Sequence, residues 1–291
     1  MRAIKRVILT PNPYRDDDFH TVRAAEQILR NAGLETRICL PFEVDKSFPL
    51  PKDIRFSRLD REINNADALI CFGGDGTILH IAKTATRHRL PVLGVNIGTM
   101  GFIAELESSE LSELTNLATG NFRLDPRMML DVTVRRGRDV VFHDIALNDI
   151  TIGKGNMARI VHLRVCCDGV EAMNFGGDGL VLSTPTGSTA YNLSAGGPIV
   201  EPDARVMLAT PICPHDIMTR GIVASDKRTI TVELSNTARR NAYLSVDGGR
   251  SVRLNMGDVA TITCSKLETK LIRMKNRSFY DIMNVKFKCK D

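Results

Sequence analysis

Through the first third of the chain, short β-branched apolar runs alternate with stretches whose apolar positions recur every three or four residues. Residues 4–9 (Ile-Lys-Arg-Val-Ile-Leu) predict a strand, residues 11–13 (Pro-Asn-Pro) a loop, and residues 19–32 an amphipathic helix ended by Gly33. Residues 36–40 predict a second strand, followed by a polar loop to about residue 60. Residues 67–72 (Asp-Ala-Leu-Ile-Cys-Phe) lack polar alternation and predict a strand buried on both faces. A helix over residues 78–85 leaves it, and residues 91–96 form another strand. Alternation of this kind implies an α/β N-terminal domain with a doubly wound parallel sheet over residues 1–122.

A helical stretch at residues 110–119 closes at Gly120, and near Phe122 the periodicity changes. Residues 129–134, 139–143, 146–152, 159–165, 179–183, 229–234, 243–246 and 259–263 are short, β-branched and separated by turns. They predict a mostly β C-terminal domain over residues 123–268. Residues 269–274 and 279–285 return to mixed character, and the segment 269–291 is expected to pack back on the first domain.

Composition narrows this picture without redirecting it. The 291 residues suffice for two domains, and 43% hydrophobic content is ordinary for a globular protein. Seven cysteines are scattered singly except for Cys166-Cys167, with no Cys-x-x-Cys pair and no histidine cluster at zinc-ligand spacing. Reduced thiols in a cytoplasmic setting are expected, with no metal held by the protein. The N-terminal apolar run turns at Pro11, too early for a signal peptide. No apolar stretch approaches the roughly 20 residues of a membrane span, so no membrane partner is expected. The net charge of +5, from 39 basic against 34 acidic residues, is spread along the chain. Arg135-Arg-Gly-Arg138 and Arg239-Arg240 read as turns between strands, which argues against a nucleic-acid partner. A mildly basic surface favours anionic metabolites.

The chemistry concentrates in a few stretches. Residues 71–79 (Cys-Phe-Gly-Gly-Asp-Gly-Thr-Ile-Leu) end an apolar run in a glycine turn that opens a helix. Gly73, Gly74 and Gly76 admit close approach of a phosphate, and the helix start supplies unpaired N–H groups and a positive dipole end. Asp75 is out of place in an anion cradle, and the residues alone leave it as a helix cap or a general base. His80, five positions on, reads as a surface or core histidine or as a ligand contact. Asn148-Asp149 forms either an Asx turn or a fork that hydrogen-bonds vicinal sugar hydroxyls. Residues 176–198 are small and hydroxylated, with no bulky side chain after the strand 180–183 until Tyr191. The backbone there is free to approach a flat heterocycle, with Thr186, Ser188, Thr189 and Ser194 as short donors and acceptors. His215 ends the run Thr-Pro-Ile-Cys-Pro-His and is rigidly placed, toward a site or toward solvent.

Taken together these motifs resemble the NAD kinase family of bacterial type, which uses ATP or polyphosphate to phosphorylate the adenosine ribose 2′-hydroxyl of NAD, giving NADP. Gly-Gly-Asp-Gly-Thr at 73–77 is shared with the wider superfamily of diacylglycerol and sphingoid kinases. Residues 94–105 (Gly-Val-Asn-Ile-Gly-Thr-Met-Gly-Phe-Ile-Ala-Glu), Asn148-Asp149, residues 177–179 with 183–191, and residues 210–215 match the narrower family in order and spacing. The resemblance implies a phosphofructokinase-like first domain, Asp75 as general base, Mg2+ carried with ATP, and a homodimer or homotetramer. It implies that Gly76 holds phosphate oxygens and that His80 and Arg159 contact substrate. Asn148 and Asp149 would grip a ribose, Thr189, Ala190, Tyr191 and Ser194 would line the nucleoside pocket, and Asp178 would bond an adenine amino group. Gly74, Thr77, Gly176, Ser188, Asn192, Leu193, His215 and Asp247 complete the NAD-binding positions it implies. Gly248-Gly249 departs from relatives that often carry glutamine near the second position. Two other readings stay open: a lipid or sphingoid kinase, which needs an apolar acceptor groove, and a dinucleotide-binding sensor without catalysis, which has no use for Asp75.

Overall fold

The computed structural model describes residues 4–45, 47–98, 101–155, 159–235 and 242–287. The chain divides into two units, one reaching to Pro126 and resuming at Thr269, the other Arg127–Glu268. Arg239 and Arg240 lie outside the described residues, as do Thr99 and Met100 of residues 97–102 (Ile-Gly-Thr-Met-Gly-Phe), a second glycine turn.

The first unit carries β1 (Arg6–Pro11), β2 (Glu35–Cys39), β3 (Phe56–Ser57), β4 (Ala68–Gly73), β5 (Val92–Asn96) and β6 (Leu106–Glu107). All pair in parallel, in the order β6-β5-β4-β1-β2-β3. Every residue of β4 is buried, as its unbroken apolar run requires of a strand covered on both faces. Alternate residues of the sheet serve opposite layers. Val7, Leu9, Ile70, Phe72, Leu93 and Val95 pack with Val22, Ala25 and Leu29 of α1 (His20–Asn31). Ile8, Leu69, Cys71 and Val92 pack with Ile78, Ile81 and Ala85 of a second helix (Asp75–Arg87). This is the expected doubly wound sheet, and each fully buried Ile or Leu contributes about 1.5–3 kcal/mol.

Gly33 ends α1 at φ +84°, where Leu34 N–H reaches back to the Leu29 carbonyl at 3.0 Å. In chain order a short α2 (Leu59–Glu62) precedes that second helix, α3, and α4 (Asn116–Thr119) and α6 (Phe279–Phe287) also belong to this unit. The stretch expected to be helical from residue 110 is a 3-10 segment, Ser108–Thr115, running into α4 and closed by Gly120 at φ +74°.

The second unit is built from β7 (Arg123–Arg136), β8 (Asp139–Ala146), β9 (Asp149–Lys154), β10 (Val161–Cys167), β11 (Val170–Gly177) and β12 (Gly179–Ser183). It continues with α5 (Tyr191–Ser194), β13 (Val206–Ile212), β14 (Ile222–Ser225), β15 (Ile230–Leu234), β16 (Ala242–Val246), β17 (Ser251–Leu254) and β18 (Asp258–Arg273). One antiparallel layer runs β14-β13-β12-β9-β16-β17; the other runs β11-β10-β15-β18, with β7 on β18 and β8 on β7. Their inner faces close on one core that includes Ile150, Leu182 and Leu244 from the first layer and Leu163, Val232 and Ile262 from the second.

Two differences from the sequence reading have local causes. Residues 146–152 are not one strand: β8 stops at Ala146 and β9 starts at Asp149, because a side chain takes the backbone N–H groups between them. The apolar runs at 259–263 and 269–274 are parts of one strand of 16 residues, β18, whose last residues join the first unit beside β5 through Leu271 and Val92.

Candidate functional site

In the first unit the candidate site stands at the carboxyl ends of β1, β4 and β5, where parallel sheets receive ligands. Gly73 ends β4, and a Cβ there would lie 2.6 Å from Thr77 Oγ1, so the turn closes only around glycine. Gly74 is the N-cap of α3; its carbonyl accepts the N–H of Thr77 at 2.9 Å and of Ile78 at 3.2 Å. Asn12 Nδ2 donates to Thr77 Oγ1 at 2.8 Å, fastening the end of β1 to the first turn of α3. A second glycine does similar work deeper down: a Cβ on Gly94 of β5 would meet Ile78 Cδ1 at 2.5 Å, so α3 lies close on β5.

Asp75 does not cap α3. Its carboxylate crosses to the second glycine turn, where Oδ2 accepts Phe102 N–H at 2.8 Å and Oδ1 accepts Ile103 N–H at 3.3 Å. A Cβ on Gly101 would stand 1.9 Å from Oδ1, so this turn has glycine where the acid rests. The acid of the first glycine turn is thus positioned by the second.

A cleft of about 520 Å³ opens here and brings together Gly74, Asp75, Gly76, Thr77 and His80, all five residues expected in this unit. Asn12, Arg15, Phe42, Ile97, Gly101 and Lys286 complete its walls. Arg15, Phe42 and Lys286 were not foreseen. Arg15 had a signal, since residues 12–15 follow the end of β1 as residues 74–77 follow β4. Phe42 meets the exposed His80 ring edge-on at 5.7 Å, a contact from a segment read only as polar loop. Lys286 comes from α6, and no local pattern announces it.

The second unit gathers another group. Asp247, at φ +50°, receives three backbone N–H groups: Leu147 at 3.0 Å on Oδ2, Asn148 at 2.8 Å and Asp149 at 3.0 Å on Oδ1. Its own N–H donates to the Asp149 carbonyl at 2.9 Å. On the other side Thr184 Oγ1 donates to the Leu147 carbonyl at 2.6 Å, and Thr184 N–H and Ser183 Oγ donate to the Asn148 carbonyl. Gly187 lies so close that a Cβ would stand 2.2 Å from the Asn148 oxygen. So held, Asn148 and Asp149 are each only 7% exposed. Asn148 Oδ1 has no hydrogen-bond partner, which leaves a buried amide end for a hydroxyl or amine to meet.

Several hydroxylated residues of this stretch serve the loop. Ser188 Oγ donates to the Val200 carbonyl at 3.1 Å and accepts Val200 N–H at 3.0 Å. Asn192 Nδ2 donates to the carbonyls of Ser188 and Pro198, and its Oδ1 accepts Thr210 Oγ1 at 2.7 Å. Both residues are wholly buried. Thr189, Ala190 and Leu193 are half-buried, whereas Tyr191 and Ser194 are exposed. Gly176 and His215 are joined by His215 N–H to the Gly176 carbonyl at 2.9 Å, and Asp178 pairs with Lys154 Nζ at 2.6 Å. Arg159 is exposed, and among the described residues no contact ties it to this group.

With these two arrangements in view, residues 21–121 match the family described as ATP-NAD kinase N-terminal domain and residues 147–274 its C-terminal domain. The chain belongs to the NAD kinase family. The Ruminiclostridium cellulolyticum NAD kinase is 40% identical over 224 residues, 77% of this chain and 78% of that one. The Acetivibrio thermocellus NAD kinase is 33% identical over 282 residues, 97% and 96% of the two chains. Among solved structures, yeast NADH kinase complexed with NADH has the same fold, with TM-score 0.85 at 23% identity over 100% of this chain and 90% of that one. An NAD kinase from Archaeoglobus fulgidus in complex with ATP gives TM-score 0.70 at 26% identity, covering 94% and 95%. The family's two-domain plan, an α/β unit followed by a mostly β one, is the plan seen here. After Asp247, Gly248 turns at φ +66° and Gly249 N–H donates to the Val246 carbonyl at 3.0 Å, so the backbone turn forms without an amide side chain.

Proposed function

We propose that this chain transfers the terminal phosphoryl group of ATP, or of polyphosphate, to the adenosine ribose 2′-hydroxyl of NAD, with Asp75 as general base. Family membership supports the overall reaction. The observation that carries the residue assignment is the Asp75 carboxylate itself, turned away from capping and fixed by two N–H donors at a cleft that opens at a helix start. Phosphoryl transfer asks little covalent chemistry of a protein and much positioning, so a carboxylate held at a phosphate-accepting turn suits the acceptor proton. Gly74, Gly76 and Thr77 offer the start of α3 to phosphate oxygens. In the other unit Asn148 and Asp149 grip a ribose, and Thr189, Ala190, Tyr191, Leu193 and Ser194 form the nucleoside pocket. Ser188, Asn192 and Asp247 act by shaping that backbone. Asp178 contributes an adenine contact, and Gly176, His215 and Arg159 further substrate contacts.

Among the described residues no group of three or more His, Cys, Asp or Glu could hold a metal ion, and Asp75 is the single carboxylate lining the cleft. One carboxylate beside bound phosphates fits Mg2+, which keeps several waters and needs no protein cage. Arriving with the donor, it supplies neutralisation of charge on the phosphate oxygens. The six described cysteines are free thiols, which supports a cytoplasmic setting. No helix of the described residues is long and apolar enough to cross a membrane. A homodimer or homotetramer completes the proposal.

The test is formation of NADP from NAD, ATP and Mg2+ by the purified protein. Asp75→Asn is expected to keep NAD affinity and lose about 10²–10⁴ in kcat. Unchanged turnover would remove Asp75 from the role of base, and tight NAD binding with no turnover by the native protein would sink the kinase reading.

A further inference from the structure

We infer that Lys286, carried by α6, binds the phosphates of the phosphoryl donor together with Arg15. The inference rests on the kinase reading for its donor but on separate residues for its geometry. Lys286 and Arg15 both line the cleft that contains Gly74, Gly76 and Thr77. Among the described residues neither cation has a salt bridge to a carboxylate, whereas arginines and lysines elsewhere commonly do, Arg6, Arg23, Lys154, Arg273 and Lys275 among them. Two unneutralised cations beside a helix start make a site for a chain of phosphates.

The ammonium is also held in place. Lys286 Nζ sits 4.7 Å from the centre of the Phe102 ring, and the neighbouring Phe287 ring lies 5.9 Å from that same ring. Phe102 is the residue whose N–H donates to Asp75 Oδ2 at 2.8 Å. One residue therefore anchors the acid through its backbone and the lysine through its ring. An ammonium resting on an aromatic face leaves N–H donors free for an incoming oxygen. A lysine kept only to pack α6 would gain nothing from facing the phosphate turn.

Calorimetric titration of the full chain with MgATP, and separately with magnesium tripolyphosphate, tests this directly. Lys286→Ala is expected to weaken both ligands about tenfold or more, Lys286→Arg to restore most of the loss, and Arg15→Ala to weaken both as well. In steady state Lys286→Ala raises KM for ATP and leaves KM for NAD unchanged. Wild-type affinity for both phosphate ligands in Lys286→Ala overturns the inference, as does a rise confined to KM for NAD. Loss for ATP alone, with tripolyphosphate unaffected, also overturns it, because the lysine would then read the nucleoside. Should Lys286→Ala unfold, Lys286→Gln carries the same measurements with the α6 packing kept. Failure of the kinase reading is distinct: the native protein then binds MgATP with Lys286 dependence yet forms no NADP.

Discussion

At Gly101 the lack of a side chain decides where Asp75 can rest. A Cβ there would lie 1.9 Å from Asp75 Oδ1 and 2.5 Å from Cγ, so Gly101→Ala must push the carboxylate off the Phe102 and Ile103 N–H groups. A shift of that size in a reacting group costs on the order of 10²-fold, so the variant should lose about that in kcat while its melting temperature and NAD affinity stay near native. Steady-state kinetics beside a thermal melt measure both, and undiminished kcat would mean that the two N–H bonds do not set the working position. The sequence made Asp75 and its glycines visible because a strand, a glycine turn and a helix are adjacent in the chain. It did not show that the acid is held by a turn 27 residues on, since that depends on how two segments approach. The same limit applies to the hydroxylated loop. Ser188 and Asn192 look like ligand donors on paper, whereas their polar atoms are taken by Val200, Pro198 and Thr210, and Asn148 keeps the open one.

Between β8 and β9 the backbone is shaped by one carboxylate. Asp247 takes the N–H groups of Leu147, Asn148 and Asp149, three donors that would otherwise be left buried as the strand pairing lapses. Asp247→Ala is therefore expected to cost about 1.5–3 kcal/mol and to raise KM for NAD, because the Asn148 amide is no longer held. A denaturant titration and NAD-dependent kinetics check the two effects; a stable variant with native KM would detach Asp247 from the site. Residues 146–152 read as one strand because apolar period carries no trace of an acid 98 residues later. β4 and α3 were legible for the opposite reason: an unbroken apolar run and a glycine turn are local signals, and both helix and strand appeared within a few residues of expectation. α1 was equally legible, bounded by Gly33, where only glycine adopts the required φ with ease.

The change of period near residue 122 revealed an α/β part followed by a β part, since each packing scheme imposes its own spacing on the sequence. It could not reveal that β18 is continuous from Asp258 to Arg273, because the switch between units falls inside a strand whose pattern persists. Each unit carries an acid held in its ionised form by its surroundings. In the first, burial works against Glu110, but Lys275 and the Glu107 N–H outweigh it and keep its carboxyl below the usual range. In the second, the paired hydrogen bonds from Arg136, both 2.8 Å, hold Asp258 below the usual range, aided by Asn255 N–H. A carboxylate whose folded pKa is depressed contributes stability above its unfolded pKa, near 4, and loses that contribution as pH falls through the folded value. The melting temperature of the native protein should thus change little between about pH 7 and 5 and fall below about pH 4. Asp258→Asn should melt lower than native at neutral pH by a few degrees, a modest gap because Arg136 is half exposed. That gap should close as pH approaches 3, where the native Asp258 is losing its charge too; a gap that stays constant from pH 7 to 3 would show that the ionised pair contributes nothing to folding.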